Sequence, residues 1–169
     1  KPAPLMQLPQ LGDTMKVNLI INGHSLSGHV NIDPYGFGDS SKVAGDVFDI
    51  GHAVQDSEAT EILAHDIINF TEYSKIDSVI LNWVSKLRHG GRIVIGGKDL
   101  WHISKCYSQR LINTEEFNKA VFGNQEHKKD YRQSHVTMTE VVSKLESLGL
   151  KVLKKRVNGY EMVVEAVRV

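Results

Sequence analysis

Gly23 and Gly28 flank a short polar turn, and Asp33 closes the apolar run that follows it. A turn with few side chains lets a ligand's polar head approach main-chain N–H groups, and an acid one strand later can accept both hydroxyls of a ribose. Asn22 opens the same turn. Asp49, after the next β-rich run, is a second acid suited to an exocyclic amine or another hydroxyl. By spacing alone these residues serve equally as a turn glycine, a strand-ending Asp-Pro and a cap. Eight histidines raise the question of a metal, but none forms H-x-x-x-H or a cluster with the single Cys106; no metal site is expected. His127 and His135 stand eight residues apart in a polar stretch. His102 adjoins Trp101 and could line an acceptor pocket, against the plainer reading that Trp101 packs in the core. Lys128 and Lys129, with Arg132 nearby, suit either a phosphate or a solvated charged face.

Such residues act only if secondary structure brings them together. Lys16 to Ile21 reads as a buried strand closed by Asn22-Gly23, and His29 to Asp33 as a second strand ended by Pro34. Asp46 to Asp49 is expected as a short third strand, Glu61 to Ala64 as a fourth, and Arg92 to Ile95 as a fifth after the turn His89-Gly90-Gly91. Ile76, Val79, Ile80, Trp83, Val84 and Leu87 recur at three- and four-residue steps, which predicts a helix from Ile76 to Leu87. Further helices are expected from Asp99 to Arg110, after Thr114, and from Thr139 to Leu148 with Gly149 as the stop. Asn158-Gly159 between two β-rich runs predicts a closing antiparallel hairpin. Strands interleaved with helices make an open, mostly parallel α/β sheet, whose ligands lie beyond the carboxyl ends of the strands. Only a handful of residues join the first two strands, too few for a helical crossover, so the usual first helix is expected to be missing.

The chain has 169 residues, enough for one domain with a full core and no staples. That domain is expected over 15–169, with residues 1–14, which hold three of the four prolines, as an extended arm or a remnant of cloning. Twenty basic and twenty acidic side chains cancel, so nothing in the overall charge draws the chain to nucleic acid or anionic lipid. No apolar run approaches a membrane span, and the lone cysteine suits a reducing compartment, so a cytoplasmic location is expected.

Asn31-Ile-Asp33, Gly45-Asp-Val-Phe-Asp49, Glu61-Ile-Leu-Ala64 and Trp83-Val-Ser-Lys-Leu-Arg-His-Gly-Gly-Arg-Ile-Val-Ile95 follow one another in order. Phe122-Gly-Asn-Gln125, His135 and Leu148-Gly-Leu150 come later. Together they resemble the compact branch of the class I S-adenosylmethionine-dependent methyltransferases, over nearly the whole of 16–169. The resemblance implies a Rossmann-like three-layer sandwich, S-adenosylmethionine as cofactor, and methyl transfer to a small-molecule or saccharide acceptor. It also implies roles: Gly23 at the methionine moiety, with Asn22 and Gly28 as further cofactor-binding residues, Asp33 at the ribose, Asp49 near the adenine, and His65 and Asp66 as the catalytic pair past the fourth strand. Three positions depart from the family's pattern. Ile21-Asn22-Gly23-His24-Ser25 keeps one glycine of a two-glycine loop, Asn69-Phe70 stands where the branch carries Glu-His, and His89 replaces a turn proline. A non-catalytic module that keeps the fold for binding or assembly, as a homo-oligomer or in a larger complex, is the alternative. A nicotinamide-dependent oxidoreductase would want G-x-G-x-x-G opening a helix, which the Asn22 to Gly28 loop lacks.

Overall fold

A computed structural model describes residues 14–169; most of the expected N-terminal arm falls on 1–13 and lies outside them. Seven strands form one mixed sheet in the order β3-β2-β1-β4-β5-β7-β6. The strands β1 (Met15–Leu19), β2 (Val30–Asp33), β3 (Val43–Ala44), β4 (Ala59–Ala64) and β5 (Leu87–Lys98) pair in parallel. The expected hairpin forms from β6 (Leu150–Asn158) and β7 (Glu161–Arg168), and β7 adds antiparallel to β5. The carboxyl ends of β1 to β5 therefore share one rim, and the chain reverses its order of addition between β1 and β4, where such sheets open a crevice.

Four α-helices accompany the sheet. α1 (Ile76–Lys86) turns Ile76, Val79, Ile80, Trp83 and Val84 inward, as their spacing requires, and the wholly buried Trp83 donates its indole N–H to Val47 O at 2.8 Å. α4 (Met138–Ser147) buries Val141, Val142 and Leu145. Both helices share one core with Val17, Ile32, Ile62, Ile93, Ile95 and Val164 of the sheet. α2 (Leu100–Ser108) and α3 (Thr114–Phe122) are capped by the side chains of Asp99 and Asn113. Asp99 does more than cap: Oδ2 accepts from His102 N while Oδ1 accepts from Met138 N at 2.6 Å, so one buried carboxylate ties the starts of α2 and α4 together. Among the described residues no helix is long and apolar enough to cross a membrane.

Two expectations need correction. Asp46 to Asp49 is not a strand; β3 lies earlier, at Val43–Ala44 beside Ile32 and Asp33. The backbone of the expected strand is spent elsewhere, because Phe48 N donates to Asp46 Oδ1, Val47 O accepts from Trp83, and Ile50 N donates to Asn82 Oδ1. β5 is also longer than Arg92 to Ile95. It begins at Leu87, with Ala59 opposite Leu87 but Glu61 opposite Arg92, so Arg88 to Gly91 bulge out of the ladder. A Cβ on Gly91 would stand 2.8 Å from Arg88 O and 2.9 Å from Ala59 O, which is why only glycine serves there.

The missing first helix is confirmed, and two asparagines do its work. Residues 20–29 cross from β1 to β2 without a helix. Asn18 and Asn31, register partners on adjacent strands, are both 5% exposed and joined by a 2.9 Å hydrogen bond. Asn18 Nδ2 donates also to His24 O, while Asn31 Oδ1 accepts from Leu26 N at 2.8 Å and Asn31 Nδ2 donates to Leu26 O. Together the pair satisfies backbone groups of the crossover that a helix would have satisfied internally. Asn31→Ala removes these half-buried bonds and the buried partner of Asn18 together, and should cost about 2–3 kcal/mol in urea unfolding. The exposed Asn118→Ala should stay within about 0.5 kcal/mol of the parent.

Candidate active site at the carboxyl rim

The sequence-derived residues do not all converge. Asp33 ends β2 at the rim, 0% exposed, but both carboxylate oxygens are engaged: Oδ1 accepts from Tyr35 N and Oδ2 from Lys42 Nζ, each at 2.8 Å. Asn22 and Gly23 follow β1 on the same rim. Asn22 Nδ2 donates to Lys129 O at 2.8 Å, and among the described residues only Ile20 Cγ2, at 4.0 Å, comes near where a Cβ on Gly23 would stand, so they leave space above it. Gly28 lies two residues before β2, at the amino end of that strand and away from the rim that carries Gly23. Asp49 is not at the rim either. Its Oδ1 accepts from Asn82 Nδ2 at 3.0 Å, in the half of α1 that leads back to the amino end of β5.

His65 and Asp66 follow β4 at the rim, as expected, and only His65 is free. His65 is exposed, with Nδ1 facing Gly96 of β5. Asp66 has a left-handed backbone (φ 54°) held by its N–H to Gly96 O, and its carboxylate receives both arms of the Arg132 guanidinium at 2.5 and 3.0 Å. Arg132 lies over the Phe70 ring, 4.8 Å from the centroid. Behind it stands the fully buried Asn69, whose Oδ1 accepts from Lys98 N at 2.9 Å and reaches Arg132 at 3.4 Å, while Nδ2 donates to Ser134 O. A Cβ on Gly97 would approach Asn69 Oδ1 to 2.8 Å, so the glycine at the end of β5 makes room for this amide.

Asp66, Phe70 and Arg132 floor a polar cavity of about 320 Å³, lined also by Asn22, Lys98, Lys119 and Tyr160 among others, with His65 just outside its wall. It opens over the ends of β1, β4 and β5, beneath α3 and a strap formed by 123–132. The strap is closed at its base by Arg132 N to Phe122 O. Gly123 is compulsory there, with φ 80° and Asp130 O only 1.6 Å from a Cβ. Within the strap Glu126, His127 and Asp130 bring ligand atoms within 4.8 Å of one another, but Asp130 already accepts from His127 N. Lys129 Nζ lies over the Tyr35 ring, 5.1 Å from the centroid. The basic loop is thus split, with Lys129 toward β2 and Arg132 toward β4.

Other histidines are tied into the fold: His52 Nε2 meets Asp46 O, and His102 Nδ1 is bonded to Asp99. Trp101, expected in the core, is 56% exposed with Lys105 above its ring. Sequence reasoning took Arg132 only as part of a basic loop and Asn69 only as a departure; the signal for their joint role was the Gly96-Gly97 pair, since glycine late in a strand marks a close approach.

No family model matches the chain, and no curated protein matches it in sequence. Solved structures do match. A SAM-dependent methyltransferase from Methanosarcina mazei superposes with TM-score 0.61 at 13% identity, covering 94% of each chain. One from Archaeoglobus fulgidus gives 0.58 at 11% identity over 92% of this chain and 86% of that one. The 1,6-didemethyltoxoflavin-N1-methyltransferase of Burkholderia thailandensis, solved with 1,6-didemethyltoxoflavin and S-adenosylhomocysteine bound, gives 0.56 at 10% over 92% and 72%. The chain therefore has the Rossmann-like fold of the S-adenosylmethionine-dependent methyltransferases.

One titration follows from the rim. His135 donates its Nε2–H to Val121 O, its Nδ1 is buried without a partner among the described residues, and burial, opposed by the Val121 contact and reinforced by Arg132 and Lys98, holds its pKa below the ordinary 6.5. The unfolded chain then binds this proton more tightly than the folded one, so the stability is whole above pH 6.5 and is lost as pH falls below it. His135→Gln should remove part of that loss, measured as a smaller drop in the urea midpoint between about pH 7 and pH 5 than the parent shows.

Proposed function

We propose that the chain binds S-adenosylmethionine along the rim from Asp33 to Asn22 and transfers its methyl group to a small-molecule or saccharide acceptor in the cavity under α3. The observation that carries this reading is the polar cavity at the carboxyl rim, where Asn22 from the loop after β1 and Asp66 from the loop after β4 line one space. The residues fit the cofactor in part. Gly23 leaves the approach to the first loop open, and Asp33 stands at the end of β2, but Lys42 must yield before its carboxylate can accept ribose hydroxyls. That exchange is local, because among the described residues Lys42 pairs with Asp33 and, at 3.9 Å, Asp39.

When bound, S-adenosylmethionine supplies a methyl group on a sulfonium leaving group. The chain's own task is then to orient the acceptor and exclude water. Asn22 and Gly23 hold the amino-acid end, and the strap closes over it through Lys129 O. His65, exposed beside Gly96, is the group available to take a proton from an acceptor that carries one. Asp66, with both oxygens on Arg132, is not the base in this assignment. Gly28 and Asp49 have no part in this assignment.

A second reading, a non-catalytic module that serves binding or assembly, is favoured by one specific observation: Asp33 and Asn22 already have partners within the chain, in Lys42 and Lys129 O. Titration calorimetry separates the two. Methyl transfer requires binding of S-adenosylmethionine in the micromolar range, about tenfold weaker or worse in Asp33→Ala and about tenfold tighter in Lys42→Ala, where the competing cation is gone. Absence of binding to both the parent and Lys42→Ala, together with a defined oligomer by light scattering, establishes the module instead.

A further inference from the structure

Arg132 is the most elaborately built group on the rim, and methyl transfer as derived above gives it no ligand of its own. Its side chain is only 10% exposed, yet it lines the cavity. The Phe70 ring beneath it and Asn69 Oδ1 behind it hold the planar guanidinium with its two-armed edge toward Asp66. That fork is the geometry that recognises a carboxylate by two parallel hydrogen bonds. The carboxylate now on it comes from a side chain that is 42% exposed, whose backbone is pinned independently by the bond from its N–H to Gly96 O. Asp66 can therefore swing to solvent without disturbing the strand end, whereas Arg132 cannot leave. Lys98 and Lys119 also line the cavity, and their partners Glu161 and Glu115 are not among its lining residues. With Asp66 turned away, three cations face Asp130 alone among the acids of the wall.

We propose that the acceptor carries a carboxylate, which replaces that of Asp66 on Arg132 when the acceptor enters the cavity. This rests on the reading that the cavity is the acceptor site. The acceptor rather than the cofactor is assigned to Arg132 because Arg132, Lys98 and Tyr160 gather over β4, β5 and the β6–β7 turn, whereas Asp33, Gly23 and Asn22 mark the β2–β1 side of the crevice, where Asn22 is the cavity wall nearest the cofactor. Asp66 is then a resident stand-in that keeps the guanidinium neutralised until a ligand arrives.

Malonate is the probe, with malonamide as its uncharged counterpart, both titrated by calorimetry into the full chain at matched ionic strength. Malonate is expected to bind and malonamide not. Asp66→Asn, which removes the competing charge and leaves Arg132 in place, should bind malonate about tenfold more tightly than the parent; Arg132→Lys, which keeps the charge and loses the fork, about tenfold more weakly. Equal response to malonate and malonamide, or an Asp66→Asn variant no tighter than the parent, overturns the proposal. So does displacement of malonate by S-adenosylhomocysteine, because the carboxylate site would then belong to the cofactor. Titration of S-adenosylmethionine on the same samples keeps the two readings apart. Cofactor binding without malonate binding sinks the carboxylate site alone, and malonate binding without cofactor binding upholds that site and removes methyl transfer.

Discussion

One buried amide holds the working edge of this protein together. Asn69 has no exposed surface, and its side chain joins two segments distant from it in sequence: the end of β5 through Lys98 N, and the end of the strap through Arg132 and Ser134 O. Its own carbonyl accepts from Gln133 N and Ser134 N. An amide suits this place because it donates and accepts without charge, so it can be buried among backbone groups at little electrostatic cost. Gly97 provides the space, and the position of Arg132, hence of Asp66, follows.

Asparagine performs a similar task on the other side of the crevice. A parallel crossover without a helix exposes backbone N–H and C=O groups over the sheet, and each would cost a lost hydrogen bond if buried unpaired. Asn18 and Asn31 meet them in one connected network, which explains how so short a connection covers buried strands. The Asn of Asn31-Ile-Asp33 is thus structural, and the Asp two residues later belongs to the rim. The lost helix also removes a helix N-terminus from the crevice, so that Asn22, Gly23 and Asp33 stand at the rim without one.

Charge is managed at the rim by pairing rather than by exclusion. Asp33 is covered by Lys42, and Asp66 by Arg132. Each pair joins a carboxylate placed by a strand end to a cation carried in on a loop. The loops can therefore yield a partner without unravelling the sheet, which is the arrangement a rim needs if ligands are to exchange with its own side chains.

The sequence by itself determined the sheet and its principal helices. Periodicity marked α1 through Ile76, Val79, Ile80, Trp83 and Val84, Asn158-Gly159 marked the hairpin, and the brevity of the first crossover announced the missing helix, because each of these is a property of near neighbours along the chain. It also placed Asn22, Gly23, Asp33, His65 and Asp66 at strand ends, hence at one rim. Tertiary structure alone decided the rest. Asp46 to Asp49 looked like a strand until Trp83 and Asn82 claimed its backbone, which carried Asp49 away from the rim, and parallel pairing put Gly28 at the wrong end of β2. Arg132 looked like one more surface charge until Asn69, sixty-three residues before it, turned it inward. Local pattern fixes which residues end a strand; which partners saturate them depends on contacts between distant segments, and those leave no spacing to read.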